Sequence, residues 1–182
     1  MAKLKDSGAR TTFESGAQRE LIKEKGRHDL LPLDVLSDLY ASCPYHSDQV
    51  NELGQSIFSK LNGFIYSGDC RLLFNVIWDF IEYRYANNVQ LALQELAIHY
   101  GDGADKYEAR NWEKGLPLSS LLQSAIRHFV CFLENWEDEP HDRAFMWNIF
   151  GMLCMIKRNR TDLFDLPFYQ QSINTDNSHN LL

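Results

Sequence analysis

No run of apolar residues here is long enough to cross a bilayer. The longest, Phe145 to Ile156, is interrupted by Asn148 and falls short of the roughly 20 residues a membrane helix needs. The first twelve residues hold no apolar core, so no secretory leader is expected. The four cysteines (Cys43, Cys70, Cys131 and Cys154) include no CxxC pair, which argues against a zinc knuckle. Cys131 and Cys154 fall in apolar helical patterns and read as buried thiols. Basic charge is scarce: 18 Lys and Arg stand against 25 Asp and Glu, a net charge of -7, without the basic excess of a general nucleic-acid binder. Strand alternation and internal repeats are also missing. These absences predict a soluble, reduced, cytoplasmic protein with neither nucleic acid nor membrane as partner. An acidic chain can still bind a phosphorylated small molecule through Mg²⁺ and a few local basic groups.

What is present is helical patterning. With 45% apolar and 13% aromatic residues over 182 positions, the chain can build one domain with a real core. The pattern predicts a flexible N-terminus over 1–12, a single all-α domain over 13–165 and a polar, disordered tail over 166–182. Helices are expected over Leu30–Tyr40, beginning near Pro32, and over Ser47–Leu61 with Ser47 as N-cap. Others are expected over Cys70–Tyr85, Val89–Tyr100, Pro117–Leu133 and Asp138–Lys157. The aromatics of the third (Phe74, Trp78, Phe80, Tyr83 and Tyr85) read as core or dimer contacts. Polar inner faces joined by short loops suggest a helical bundle with its site inside or between subunits.

The organising stretch is Glu139-Pro140-His141-Asp142-Arg143-Ala144-Phe145-Met146-Trp147-Asn148, directly after Asp138. On a helix, Asp138, His141, Asp142, Phe145 and Asn148 share one broad face. Carboxylates and an imidazole that continue an apolar stripe are costly to bury unless paired, protonated or metal-bound. Glu139 and Asp142, three apart, can reach one ion. Alternatively, Asp138 and Glu139 merely cap the helix around Pro140, although a cap leaves His141 and Asn148 unexplained. Glu95 and His99, four apart, are either a surface pair or a metal-facing strip. In the polar segment 103–115, Lys106, Arg110 and Lys114 recur every four residues beside Tyr107, Asn111 and Trp112. They form either a solvated face or the groups that hold phosphates and stack a base. The stretch from Phe13 to Asp29, with Arg19, Lys23, Lys25 and Arg27, is a solvated arm or a phosphate-contacting flap. Arg127-His128 interrupts the stripe of the fifth helix, where His128 is a structural histidine or a proton-transfer group.

Three ordered motifs, FESGAQRELIKEKGRHDLLPLDVL, GADKYEARNWEKGLPLSSLLQSAIRHFVCFL and DEPHDRAFMWNIFG, resemble the phage and prophage dATP/dGTP diphosphohydrolase N-terminal domain family. Phage MazZ enzymes belong to this group, which is related to the MazG-type all-α pyrophosphohydrolases. The resemblance spans about Phe13 to Leu36 and Leu91 to Ile156, and is weaker between. It implies Mg²⁺-dependent hydrolysis of a purine deoxynucleoside triphosphate to the monophosphate and pyrophosphate, with Mn²⁺ able to substitute. It further implies a homo-oligomer, dimer or tetramer, in a host cytoplasm. On this reading Glu95, His99, Glu139 and Asp142 hold the metal. The catalytic residues are Glu95, His128, Asp138 and His141, and the substrate contacts are Lys106, Tyr107, Arg110, Asn111, Trp112, Lys114 and Asn148. Glu139 to Asp142 matches the ExxD strip of MazG-type enzymes. The other strip departs from ExxE, because Ile98 stands three after Glu95 and His99 is the nearest ligand. Two other readings stand beside this one. The first is an HD-type metal phosphohydrolase built on His128, His141 and Asp142, and the second is a non-catalytic helical module that binds a nucleotide or a protein.

Overall fold

The computed structural model describes residues 10–20 and 27–170. Residues 1–9, Lys23, Lys25 and the tail from 171 lie outside the described residues. The all-α expectation holds, with α1 at Leu33–Ala41, α2 at Asp48–Ser67 and α3 at Arg71–Tyr85. They are followed by α4 at Val89–Lys106, α5 at Leu118–Leu133 and α6 at His141–Lys157. Helix starts follow the local chemistry. The Ser47 hydroxyl accepts from the Val50 amide (3.4 Å) ahead of α2, and the Asn88 side chain accepts from the Leu91 amide (3.0 Å) ahead of α4.

The core lies where α2, α3, α5 and α6 meet. Phe58, Phe80, Phe129 and Phe145 are fully buried, with Phe80–Phe145 and Phe129–Phe145 ring centroids 4.8 and 4.9 Å apart. At roughly 2 kcal/mol or more per buried aromatic, this cluster ties the four helices together. α5 and α6 approach so closely at Gly151 that a Cβ there would stand 2.9 Å from a Leu121 methyl. Of the α3 aromatics, Phe80 and Tyr85 are core, while Phe74 and Trp78 are about half exposed. No helix among the described residues is long and apolar enough to cross a membrane.

Five features differ from the sequence expectation, the first being that α2 runs past Leu61 to Ser67, where Gly68 in the left-handed region ends it. Residues Arg10–Thr12 (β1) and Gln18–Glu20 (β2) form a small antiparallel hairpin, whose three-residue strands are too short to show alternation. α4 does not stop near Tyr100 but continues through Gly101 and Gly103 to Lys106. α6 begins at His141, which leaves Asp138 and Glu139 in the preceding connection. Leu166, assigned above to the tail, is 4% exposed, and Asp165 accepts from the Ser119 amide (2.8 Å) in the first turn of α5. That carboxylate satisfies an orphan helix N–H and complements the positive helix end, which holds the segment after α6 against α5.

Candidate active site

A cavity of about 480 Å³ opens between the hairpin, the C-terminal half of α4, the 3-10 turn at Asn111–Lys114, α5 and the start of α6. This is the size of a small-molecule site. Its walls are aromatic (Tyr100, Tyr107, Trp112 and Trp147), and the α4 glycines Gly101 and Gly103 keep one side open.

The hairpin is stitched onto the cavity by Asn111. Its Oδ1 accepts from the Gln18 amide (3.0 Å), and its Nδ2 donates to the Gln18 carbonyl (2.9 Å). The Ser15 hydroxyl donates to the Gly115 carbonyl (2.5 Å). The Asn111 amide is therefore committed to the β2 backbone rather than turned to a base. What it positions is the next residue: Arg19 donates to Asn148 Oδ1 (2.6 Å) and to the Ser120 carbonyl (3.0 Å), with its guanidinium 5.8 Å from the Trp147 ring. These partners are neutral oxygens. Burial, opposed by Tyr107 and reinforced by the Arg127 charge, lowers the Arg19 pKa to about 10, so it remains a cation at neutral pH. A largely buried cation facing a cavity and held by neutral groups is an anion-binding arrangement.

At the other end, Arg127, His128, His141 and Asp138 form a hydrogen-bonded chain. Arg127 Nη2 lies 2.7 Å from His128 Nε2, His128 Nδ1 lies 2.9 Å from His141 Nδ1, and His141 Nε2 lies 2.8 Å from Asp138 Oδ1. Arginine can only donate, so His128 Nε2 accepts and a neutral His128 carries its proton on Nδ1. That proton is given to His141 Nδ1, which leaves His141 Nε2–H to donate to Asp138. Burial, then the Arg127 charge, holds the His128 pKa well below the usual imidazole value. Glu139 Oε1 accepts from Arg127 Nη1 (3.0 Å). No side-chain cap bond forms at the start of α6. Asp138 and Glu139 therefore orient histidine and arginine instead of capping the helix.

The carboxylates assigned above to Mg²⁺ do not converge. Glu95 pairs with Arg143 (2.6 Å), Asp142 pairs with Arg84 (2.9 Å), and neither lines the cavity. Glu139 does line it, but against Arg127. Each acid is neutralised by its own arginine, so an all-oxygen cage for a hard ion is not assembled among the described residues. The adjacent His141 and Asp142 diverge, His141 into the interior and Asp142 toward Arg84, so no HD pair forms. His99 lines the cavity beside Trp147 (6.1 Å) with its Nδ1 buried and unpartnered, and its pKa is lowered to about 4, chiefly by burial and then by the Arg143 charge.

Of the three basic residues read as phosphate contacts, Arg110 pairs with Glu113 (2.9 Å) and Lys114 pairs with Glu108. Lys114 lies off the cavity, while Lys106 lines it with its ammonium 5.6 Å from the Tyr107 ring. Tyr107, Trp112 and Asn148 line it, as do Arg110 and Asn111. Arg19 was named only as one basic residue of a possible phosphate-contacting flap, and Arg127 and Trp147 carried no site role in the sequence. The signals for them were a basic residue in the FESGAQRE stretch and the Arg127-His128 break in the α5 stripe.

Residues 78–163 match the family model described as dATP/dGTP diphosphohydrolase, N-terminal. The likeness to that family is confined to this stretch, a little under half of the chain. No curated protein and no solved structure matches the chain. The family segment runs from the middle of α3 to the turn after α6 and supplies every helical wall of the cavity. The hairpin with Arg19 lies before the matched residues.

Proposed function

We propose that this chain hydrolyses a purine deoxynucleoside triphosphate, of the dGTP or dATP kind, to the monophosphate and pyrophosphate. The family match supports diphosphohydrolase chemistry on these nucleotides. The observation that carries the reading is Arg19, a largely buried guanidinium with neutral partners that lines an aromatic cavity together with Arg127, His128 and Glu139. In this reading the base slides between the aromatic walls, and Tyr107 and Trp112 offer stacking faces that any purine can use. The triphosphate lies along Arg19 and Arg127, with Lys106 further out, and its charge is neutralised by groups already in position.

Hydrolysis needs a water placed on the far side of the α-phosphorus from the leaving group. Glu139 is the cavity carboxylate beside His128 and Arg127, so a water hydrogen-bonded to it is poised there. The water oxygen bonds to the α-phosphorus while its proton passes to the Glu139 carboxylate. The bond to the α–β bridging oxygen breaks, and pyrophosphate leaves against the arginines. Asp138 and His141 hold the His128 ring in place during this step. Mg²⁺ is the ion the resemblance implies, but the donor atoms do not fit an all-carboxylate Mg²⁺ site, and no step is assigned to it. The test is single-turnover hydrolysis of dGTP by wild type and by Glu139→Gln. Loss of product with unchanged nucleotide affinity supports the assignment, and unchanged turnover defeats it.

A further inference from the structure

Three donor atoms meet where the α5–α6 connection folds back against α5. His128 Nδ1 and His141 Nδ1 are 2.9 Å apart, and Glu139 Oε1 stands 3.7 Å from the first and 3.9 Å from the second. An ion that binds three such donors tetrahedrally at about 2.0–2.2 Å keeps them roughly 3.4 Å apart, a spacing the observed triangle brackets. The side chains are 7%, 2% and 11% exposed, so packing holds the donors near one another before any ion arrives. A second observation points the same way. His141 gives its Nε2–H to Asp138 Oδ1 at 2.8 Å, which turns the Nδ1 lone pair inward toward the other two donors. Metal-binding histidines are oriented in this way by a carboxylate on the opposite nitrogen.

We propose that His128, Glu139 and His141 bind a borderline first-row divalent ion of the Zn²⁺ or Co²⁺ kind, in preference to Mg²⁺. Two imidazoles and one carboxylate suit such ions, whereas Mg²⁺ favours oxygen ligands in near-ideal octahedral geometry. His128 and Glu139 line the cavity, so the fourth position opens where a water or a phosphate oxygen can enter. The ion replaces the proton now shared by the two histidines. The His128 proton moves from Nδ1 to Nε2, and the ring stays neutral. Arg127, which in the metal-free chain donates Nη2 to His128 Nε2 and Nη1 to Glu139 Oε1, then faces an N–H at the first and an oxygen committed to the ion at the second, gives up both bonds and turns toward the cavity. Metal binding thus releases a guanidinium to meet an incoming anion.

The ion site shares His128 and Glu139 with the nucleotide cavity, and Glu139 serves as proton acceptor only while no ion is bound; the site does not depend on the nucleotide reading, because the metal alone tests it. The full chain, stripped with a chelator, is titrated with Co²⁺ in the absence of nucleotide and followed by visible absorption and calorimetry. The expected result is the intense d–d absorption of a four-coordinate site, saturating at one ion per chain and persisting in excess Mg²⁺. His141→Gln and Glu139→Gln should each weaken binding by about tenfold or more. Asp138→Asn, a partly exposed and conservative change at a positioning residue, should weaken it by about 10- to 100-fold. Far-UV circular dichroism confirms that each variant is folded. Glu95→Gln and Asp142→Asn should bind as wild type does. Absence of saturable Co²⁺ binding overturns the proposal. So do weak six-coordinate bands displaced by Mg²⁺, or a loss caused by the Glu95 or Asp142 variants and not by the histidine variant. A chain that binds Co²⁺ but turns over no nucleotide keeps this site and loses the hydrolase reading. A chain that hydrolyses dGTP without binding Co²⁺ does the reverse.

Discussion

Replacing Arg19 with methionine separates function from stability at this site. In the folded chain the guanidinium sits at a pKa of about 10, chiefly through burial, which corresponds to about 3 kcal/mol against the charged form. Methionine removes that penalty and keeps much of the side-chain length. It also leaves Asn148 Oδ1 without its 2.6 Å donor, in a residue that is 1% exposed, at a cost of about 1–3 kcal/mol. The Ser120 carbonyl lies within α5 and keeps its place in the helix ladder. The two effects oppose, so Arg19→Met should melt within about 2 kcal/mol of wild type. Nucleotide binding should respond very differently. One lost charge-assisted bond to phosphate is worth about 1.5–3 kcal/mol, a Kd increase of roughly 10- to 150-fold. Denaturant unfolding gives the first quantity, and calorimetry with a non-hydrolysable deoxynucleoside triphosphate gives the second. A variant that unfolds far more easily yet binds nucleotide normally would show that Arg19 is a structural clamp, and the reasoning would fail.

Asn111→Ala removes both bonds that hold Gln18 and should cost about 1–3 kcal/mol while raising KM, because Arg19 loses its register; melting and steady-state kinetics read the two effects. Asp142→Asn breaks the ion pair with the half-exposed Arg84 and should cost about 1 kcal/mol or less with turnover retained, and a dead variant would return Asp142 to the site. Gly115→Ala should destabilise by roughly 1–3 kcal/mol, since Gly115 has φ +104° and a Cβ would stand 2.5 Å from Leu163 Cδ1. The fourth test uses His99, whose folded pKa is about 4 against an ordinary 6.5. Above pH 6.5 both states hold it neutral; between pH 6.5 and 4 the unfolded chain binds the extra proton, so stability falls as pH falls. The His99 share of that loss is about 3 kcal/mol by pH 4, and His99→Gln should flatten the unfolding profile over this window by that amount.

The helices were legible because their apolar stripes and caps are local. Ser47 and Asn88 announce α2 and α4, and Val50, Leu53, Ile57 and Leu61 make a stripe that any neighbour can bury. The extension of α4 through Gly101 and Gly103 was not, since glycine ends the stripe and the walls around it are set by distant residues. In the site, Glu139, His128, His141 and Asp138 were readable as polar groups that a core stripe does not explain, and they meet in space. The partners of Glu95 and Asp142 were not legible, because spacing along a helix says nothing of Arg143 and Arg84, which pair with them across the fold. Likewise, Lys114 looked available only because its Glu108 partner requires the folded turn. Arg19 was hidden for the opposite reason. It lies in a stretch that reads equally as a solvated arm or a phosphate-contacting flap, and only the pairing of Asn111 with the β2 backbone, 93 positions away, carries it into the cavity.

The most direct test of the central claim is a product assay on the full chain. The protein is incubated with dGTP, dATP, dCTP or dTTP, without added metal or with Mg²⁺, Mn²⁺ or Co²⁺, and the products are resolved by anion exchange. The expected products are dGMP or dAMP together with pyrophosphate, with little turnover of the pyrimidine nucleotides. Deoxyguanosine with tripolyphosphate, or no turnover of any nucleotide under any of these conditions, would contradict that claim.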